Sequence, residues 1–394
     1  MTQGADIDRS PQDRPSDLVV TAGRVIDPTS EFDRPGWVSV MDGRITDLGN
    51  AESEPPRAAA RLDYPDGILL PGLVDMHAHP ALSDSRYGID PDVYMLSRGS
   101  TTVLSQGDAG ARNWAKYRED TVDGRKTRVR MALHLSRNGE SNPNGPFTQM
   151  EFADVAECVA AIEADDSGAI WGITVNTSPM TCGTSDPREI LRRALEAAET
   201  VGLPLLFGPR RAPGWDLEDQ LELLRPGDVF TYCSDPSETS LVRGGRVREC
   251  SWRARERGVL FDLGHGTTSI NFEVLSVMVR EDFLPDTVSS DVYSYHLGMT
   301  PQHDLPHVMS KVRAAGMAEG DIWPRVTSEP AAQLGLAGEI GTLAVGSCAD
   351  LSVLQWHPEM RPHVDAAGDA LDGGMYLPVV TVCDGEVIEP VFVL

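Results

Sequence analysis

The residues best suited to chemistry are His77 and His79, separated by Ala78 and following the apolar run of LLPGLVDM. On a β-strand, residues i and i+2 point to the same face, so both imidazoles converge at the strand's end. Neutral imidazole is a common ligand for zinc and related metals. A bare HxH is a weak motif; at the end of such a run it gains force. Two structural histidines are the alternative. Asp291, in TVSSDVY, ends a second apolar run. A carboxylate there can ligate a metal and take a proton from water; as a lone residue it would equally serve as a helix cap. His265 sits in DLGHGTTS after another run, with a glycine on each side that lets a ligand approach the backbone. It is a candidate for substrate binding, proton transfer or ligation, against a hydrogen-bonded loop histidine. His134 ends a further run and can point inward, toward substrate or as structural support. His296, His303, His307, His357 and His363 read as surface or loop residues, His296 being the one whose loop can fold over the site.

The elements that must carry these residues alternate. Eight apolar strand segments (70–76, 101–106, 129–135, 170–175, 204–207, 229–233, 259–263 and 287–291) are separated by helical patterns, the clearest at 151–164 and 187–201, with shorter ones at 249–257 and 304–315. Eight strand–helix repeats predict an α/β fold, a (β/α)8 TIM barrel, with its site at the C-terminal mouth. Before and after lie short β-like runs, 17–26, 37–47, 350–354, 378–383 and 386–388. They predict one small β-sandwich domain assembled from both termini. The expected boundaries are 1–66 for its N-terminal half (with 1–15 a disordered leader), 67–336 for the barrel and 337–394 for its C-terminal half.

The formal net charge is −26 over 394 residues. An excess of this size repels phosphate backbones and anionic membranes, so the expected partner is a small-molecule substrate and neither nucleic acid nor membrane. There is no apolar run of the roughly 18 residues a membrane span needs and no secretory signal, and the six cysteines are scattered without a CxxC. These three features predict a cytoplasmic protein with reduced thiols. GxGxxG after a strand, Walker-type and GxSxG motifs are absent, which removes dinucleotide, P-loop and nucleophile-elbow chemistries.

Taken together, TAGRVIDPTSEFD, MDGRITDLG, LLPGLVDMHAH, STTVLSQGDAGARNW, RERGVLFDLGHG, FLPDTVSSDVY and IGTLAVGSCADLSVL resemble the amidohydrolase superfamily over nearly the whole chain, in particular its dihydroorotase-like amidohydrolase/deacetylase metallohydrolases. The resemblance implies two divalent metals on HxH, a carboxylated Lys after strand four, His after strands five and six, and Asp after strand eight. His77, His79 and Asp291 match. Thr174 stands where the bridging Lys is expected, Gly208 near the strand-five His and Tyr232 at the strand-six His; the sequence after Asp291 is altered to Val292-Tyr293. A two-metal centre is therefore not expected. Three ligands still suffice for one divalent metal with open positions, zinc first and manganese or iron as alternatives.

Three functions follow. The first is a one-metal hydrolase of an amide, cyclic amide or ester, with Asp291 as base, His265 or Tyr232 on the oxyanion or leaving group, and Tyr293 and His134 on the substrate side. The second is a non-hydrolytic cyclase, lyase or isomerase of specialised metabolism, motivated by Arg210 and Arg211, which can clamp a carboxylate or phosphate. The third is a catalytically inactive binding protein. A homo-oligomer is compatible with all three.

Overall fold

The computed structural model describes residues 14–142, 144–359 and 362–391. The leader expected over 1–15 thus lies, apart from Arg14 and Pro15, outside the described residues. Strands from both ends of the chain form one seven-stranded sheet. Its order is Glu386–Ile388, Met375–Cys383, Leu351–His357, Ala58–Pro71, Ser16–Asp27, Phe32–Met41, Arg44–Asn50. Its apolar side chains, among them Val20, Val38, Leu69, Leu351 and Val382, pack into a core of their own. Two Asp-Gly pairs turn its hairpins. Asp42-Gly43 has φ of 48° and 72°, and Asp384-Gly385 has 47° and 82°, the double positive φ of the turn whose twist matches flanking strands.

The second sheet is parallel and runs in chain order through Leu73–Ala78, Ser100–Gly110, Arg128–His134, Ile170–Asn176, Leu205–Gly208, Val229–Phe230 and Leu260–Phe261. Residues 287–292 close it. Leu263 and His265 donate their backbone N–H to Thr287 and Ser289 (3.0 and 3.3 Å) on one side; Asp291 donates to the carbonyl of His77 (2.7 Å) and His79 to that of Val292 (3.0 Å) on the other. The eighth segment is thus a chain of bridges, not a continuous strand, and it zips directly to the two histidines. The apolar run expected as strand one is divided. Ile68–Pro71 belongs to the terminal sheet, and the barrel strand begins at Leu73. At the junction the Gly72 N–H reaches the Asp350 carbonyl (2.7 Å), and a Cβ on Gly72 would lie 2.2 Å from Thr101 Oγ1.

The helices obey their sequence signals. Pro187–Val201 starts on an Asp186 cap with Pro in its first turn and ends at Gly202 with φ 67°. It buries Ile190, Ala194, Ala197 and Ala198 along one stripe against the barrel. Of the five histidines expected at the surface or in loops, His357 is half-buried and the other four are buried. His296, His303 and His307, in the loop and helix after the eighth segment, are buried, as is His363, whose ring packs against that of His307. Among the described residues no helix is long and apolar enough to cross a membrane.

Candidate metal centre

His77 and His79 end the first barrel strand, and Asp291 ends the eighth segment; one ligand atom from each lies within 4.8 Å of the others. Both His77 Nε2 and His79 Nε2 stand 3.4 Å from Asp291 Oδ1. Hydrogen bonds behind the rings fix which nitrogen holds the proton. Thr231 donates its hydroxyl to Asp262 Oδ2 (2.8 Å), so its oxygen accepts from His77 Nδ1 (2.9 Å). His79 Nδ1 donates to Asp108 Oδ1 (3.1 Å), a carboxylate that also accepts from Ser85 and Ser105 at 2.5 and 2.6 Å. With protons on both Nδ1 atoms, both Nε2 lone pairs face Asp291 Oδ1. That oxygen is buried with no hydrogen-bond partner among the described residues. With the rings neutral, three buried acceptors converge, Asp291 Oδ1 has no donor among the described residues and the one hydroxyl beside them is that of Tyr232, an arrangement a cation satisfies.

The electrostatics agree. Burial opposes a charge on His79, but Asp108 and Asp291 outweigh it and raise the imidazole well above its ordinary pKa. Burial likewise pushes Asp291 up, and His77 and His79 overcome it and hold the carboxyl below its usual range. The two carboxylates favour positive charge at His79, which a proton or a metal cation can supply. Backbone geometry secures the site: Asp291 has φ 47°, and a Cβ on Gly266 would sit 2.5 Å from its Oδ2. Only glycine leaves room for the carboxylate at that place.

Above the centre opens a cavity of about 590 Å³, lined by His79, Asp291, Tyr232 and Tyr293 together with Tyr87, Glu140, Arg211 and other residues. The Tyr232 hydroxyl is 3.3 Å from His77 Nε2, and burial with the nearby Asp291 raises its pKa well above normal, so it remains an O–H donor. Tyr293 donates to or accepts from Thr267 Oγ1 (2.7 Å) at the cavity wall.

The remaining expected residues lie outside that lining. His265 is bonded at both nitrogens, Nδ1 to the Gly266 carbonyl (2.7 Å) and Nε2 to Lys311 Nζ (2.9 Å). Its ring faces the buried histidines, His303 being 4.5 Å away between centroids. Arg210 gives its backbone N–H to Gln220 (2.8 Å) and its guanidinium to the Thr177 carbonyl (3.2 Å). Its neighbour Arg211 enters the cavity instead, tied to Asp235 and Ser269 (both 2.9 Å), its guanidinium carbon 4.5 Å from the Tyr232 ring centroid. His134 lies buried behind Glu140. Thr174 donates to the Leu206 carbonyl (3.0 Å) and offers no metal donor like the Lys expected there.

Sequence reasoning missed Asp108, Thr231 and Asp262, which aim the two imidazoles, and Glu140, which faces the cavity. Asp108 lies in SQGDAGARNW at the end of the second strand, and that position was its only signal. Glu140 is the one carboxylate of the polar segment 136–147, and no periodicity of that segment ties it to the barrel mouth.

The chain is thus a closed eight-segment parallel barrel, with HxH at the end of the first strand and an Asp from the eighth meeting at one point as a candidate metal site. No protein-family model matches the chain. A deacetylase of Enterococcus faecalis is 26% identical over 384 residues, 95% of this chain and 99% of that one. Among solved structures, an adenine deaminase superposes with TM-score 0.85 at 24% identity (95% and 100% of the two chains), and a dihydroorotase with 0.83 at 23% (96% and 98%). Over nearly its whole length the chain is thus similar to a deacetylase, and in fold to an adenine deaminase and a dihydroorotase.

Proposed function

We propose that the chain is a one-metal hydrolase that cleaves the C–N bond of an amide or cyclic amide, or the corresponding ester. The observation that carries this reading is the convergence of the His77 and His79 Nε2 lone pairs on the unpartnered Asp291 Oδ1. A divalent metal such as zinc, held by those three residues, would polarise a carbonyl and acidify water. Asp291 accepts the proton that the attacking water loses. Tyr232 keeps its proton and turns its O–H from His77 Nε2 toward the carbonyl oxygen, stabilising the charge that develops there. Tyr293 and Tyr87 form the wall against which the substrate lies, and a cavity of about 590 Å³ suits a small molecule. Thr174 and Tyr232, at two positions where the family carries further ligands, supply no imidazole or carbamate, which supports a single metal.

Elemental analysis of the purified protein, with a panel of amides, lactams and esters, tests the reading. One metal equivalent per chain and turnover lost in His77→Ala are expected. Two equivalents would overturn the one-metal assignment. Full loading without turnover of any panel member would overturn hydrolysis.

A further inference from the structure

Three carboxyls line the cavity among the described residues: Asp291, Asp235 and Glu140. Asp291 belongs to the metal centre, and Asp235 is held by Arg211 (2.9 Å). Glu140 makes no hydrogen bond among the described residues, yet it is buried and fixed in place. It sits in the single turn Gly139–Ser141. Gly139 has φ 58°, its N–H reaches the Ser136 carbonyl (2.9 Å), and a Cβ there would lie 2.7 Å from the Ala109 carbonyl carbon. The turn is therefore pressed against the end of the second barrel strand.

Behind Glu140 lies His134. Its Nδ1 accepts the Ser136 N–H (3.0 Å), so the neutral ring carries its proton on Nε2. That Nε2 is buried, has no partner and stands 3.7 Å from Glu140 Oε1. A neutral, buried N–H donor thus waits just beyond bonding distance of a carboxyl that faces substrate space. A carboxyl built to hold a cation would be kept ionised by donors already in place. This one has its donor standing back, which suits a group that starts as an acid and becomes an anion.

We propose that Glu140 is the proton donor to the leaving group and that His134 is its positioning residue; the assignment rests on the hydrolytic reading above. The water oxygen bonds to the carbonyl carbon as its proton passes to Asp291. The carbon–nitrogen bond breaks, its electron pair stays on nitrogen, and nitrogen takes the proton of Glu140. The Glu140 carboxylate accepts the His134 Nε2–H. Water in the cavity then carries the proton from Asp291 to Glu140, which restores both groups.

The electrostatics fit this cycle. Burial pushes Glu140 up to about 7; His79 and Arg86 oppose the rise, and Asp108 and Asp291 add to it. Burial lowers His134 to about 3, so it stays neutral throughout. Tyr87 and Tyr232 face the same space and stay protonated, burial being the first cause for each.

The test is infrared difference titration of the metal-loaded enzyme, wild type minus Glu140→Gln. A carboxyl band that disappears with a midpoint above the ordinary carboxyl range is expected, and His134→Phe, which keeps a ring but removes the N–H, moves it upward. In parallel, Glu140→Gln should slow aryl amides of the panel at least about 100-fold, the usual size of general acid catalysis. It should leave 4-nitrophenyl esters, whose leaving group needs no proton, within a few-fold. His134→Phe should shift the alkaline limb of the amide kcat profile to higher pH. A Glu140 midpoint in the ordinary carboxyl range, or equal losses on amides and esters, overturns the donor role alone. A raised midpoint in an enzyme that turns over nothing in the panel overturns the hydrolytic reading, and the donor role falls with it.

Discussion

The aim of His79 depends on Asp108, and this dependence has a size that can be measured. Asp108 is fully buried and holds three donors, His79 Nδ1 at 3.1 Å and the hydroxyls of Ser85 and Ser105 at 2.5 and 2.6 Å. Asp108→Asn preserves this shape: the amide oxygen can accept from His79 and Ser85, and the amide NH2 can donate to Ser105. What it removes is the negative charge that makes the far nitrogen a better donor to metal. Asp108→Ala also releases the ring and its tautomer. Removing such a partner typically weakens metal binding 10–100-fold, about 1.4–2.8 kcal/mol. Asn should fall at the lower end of that range and Ala at the upper. Competition with a chromophoric zinc chelator, at fixed pH and salt, reads both. Unchanged zinc affinity in both variants would refute the argument that the carboxylate aims the ring, and with it the assignment of His79 Nε2 as a ligand.

Further outcomes follow from the same geometry. Tyr232→Phe removes the O–H beside His77 Nε2 and should lower kcat by about 100–1,000-fold, the range for loss of an oxyanion donor, with metal content unchanged; a wild-type kcat would remove Tyr232 from the mechanism. Gly266→Ala places a Cβ 2.5 Å from Asp291 Oδ2 at φ 47°. A left-handed alanine costs about 1–2 kcal/mol, so a lower melting temperature and weaker zinc binding are expected together, and loss of neither would contradict the packing at Asp291. Burial lowers Lys311 from 10.5 to about 8, with Asp365 opposing. Between those values the unfolded chain binds the extra proton, so unfolding free energy should rise from pH 8 toward 10.5 and decline as pH falls back through 8. Denaturant titrations across that window should show the rise in wild type and not in Lys311→Met.

The parts of this site legible in the sequence are those set by local periodicity. The two-residue repeat of a strand puts His77 and His79 on one face, and the end of an apolar run marks Asp291. What sequence could not supply was which residues meet across strands. Asp108 and Asp262 come from the second and seventh strands, and nothing local distinguishes them from any other carboxylate at a strand end. Arg210 and Arg211 show the same limit. Successive residues of an extended loop point opposite ways, and only the fold decides that Arg211 enters the cavity while Arg210 turns to Thr177. The glycines around His265 were read as room for a ligand near that ring. Gly266 does leave room, but for the Asp291 carboxylate, and His265 turns away to Lys311. The buried histidines after the eighth segment escaped because polar residues beneath a loop carry no apolar period to betray them.

Tyr232 and Arg211 explain together how the centre works with one metal on the proposed reading. Tyr232 has φ 61°, a conformation uncommon for an aromatic residue, and the surrounding barrel maintains it where a family member would place a ligating imidazole. The phenol is a poor ligand while protonated, and burial with Asp291 nearby keeps it so. Its ring instead supports the Arg211 guanidinium on one face, and Arg211 is anchored by Asp235 and Ser269. Positive charge on that side of the cavity therefore comes from a side chain fixed by the fold. A guanidinium cannot acidify water as a metal does, but it can hold an anionic or carbonyl oxygen in place. On that reading the His77–His79–Asp291 centre would activate the water, Tyr232 would stabilise the oxyanion and Arg211 would orient the substrate.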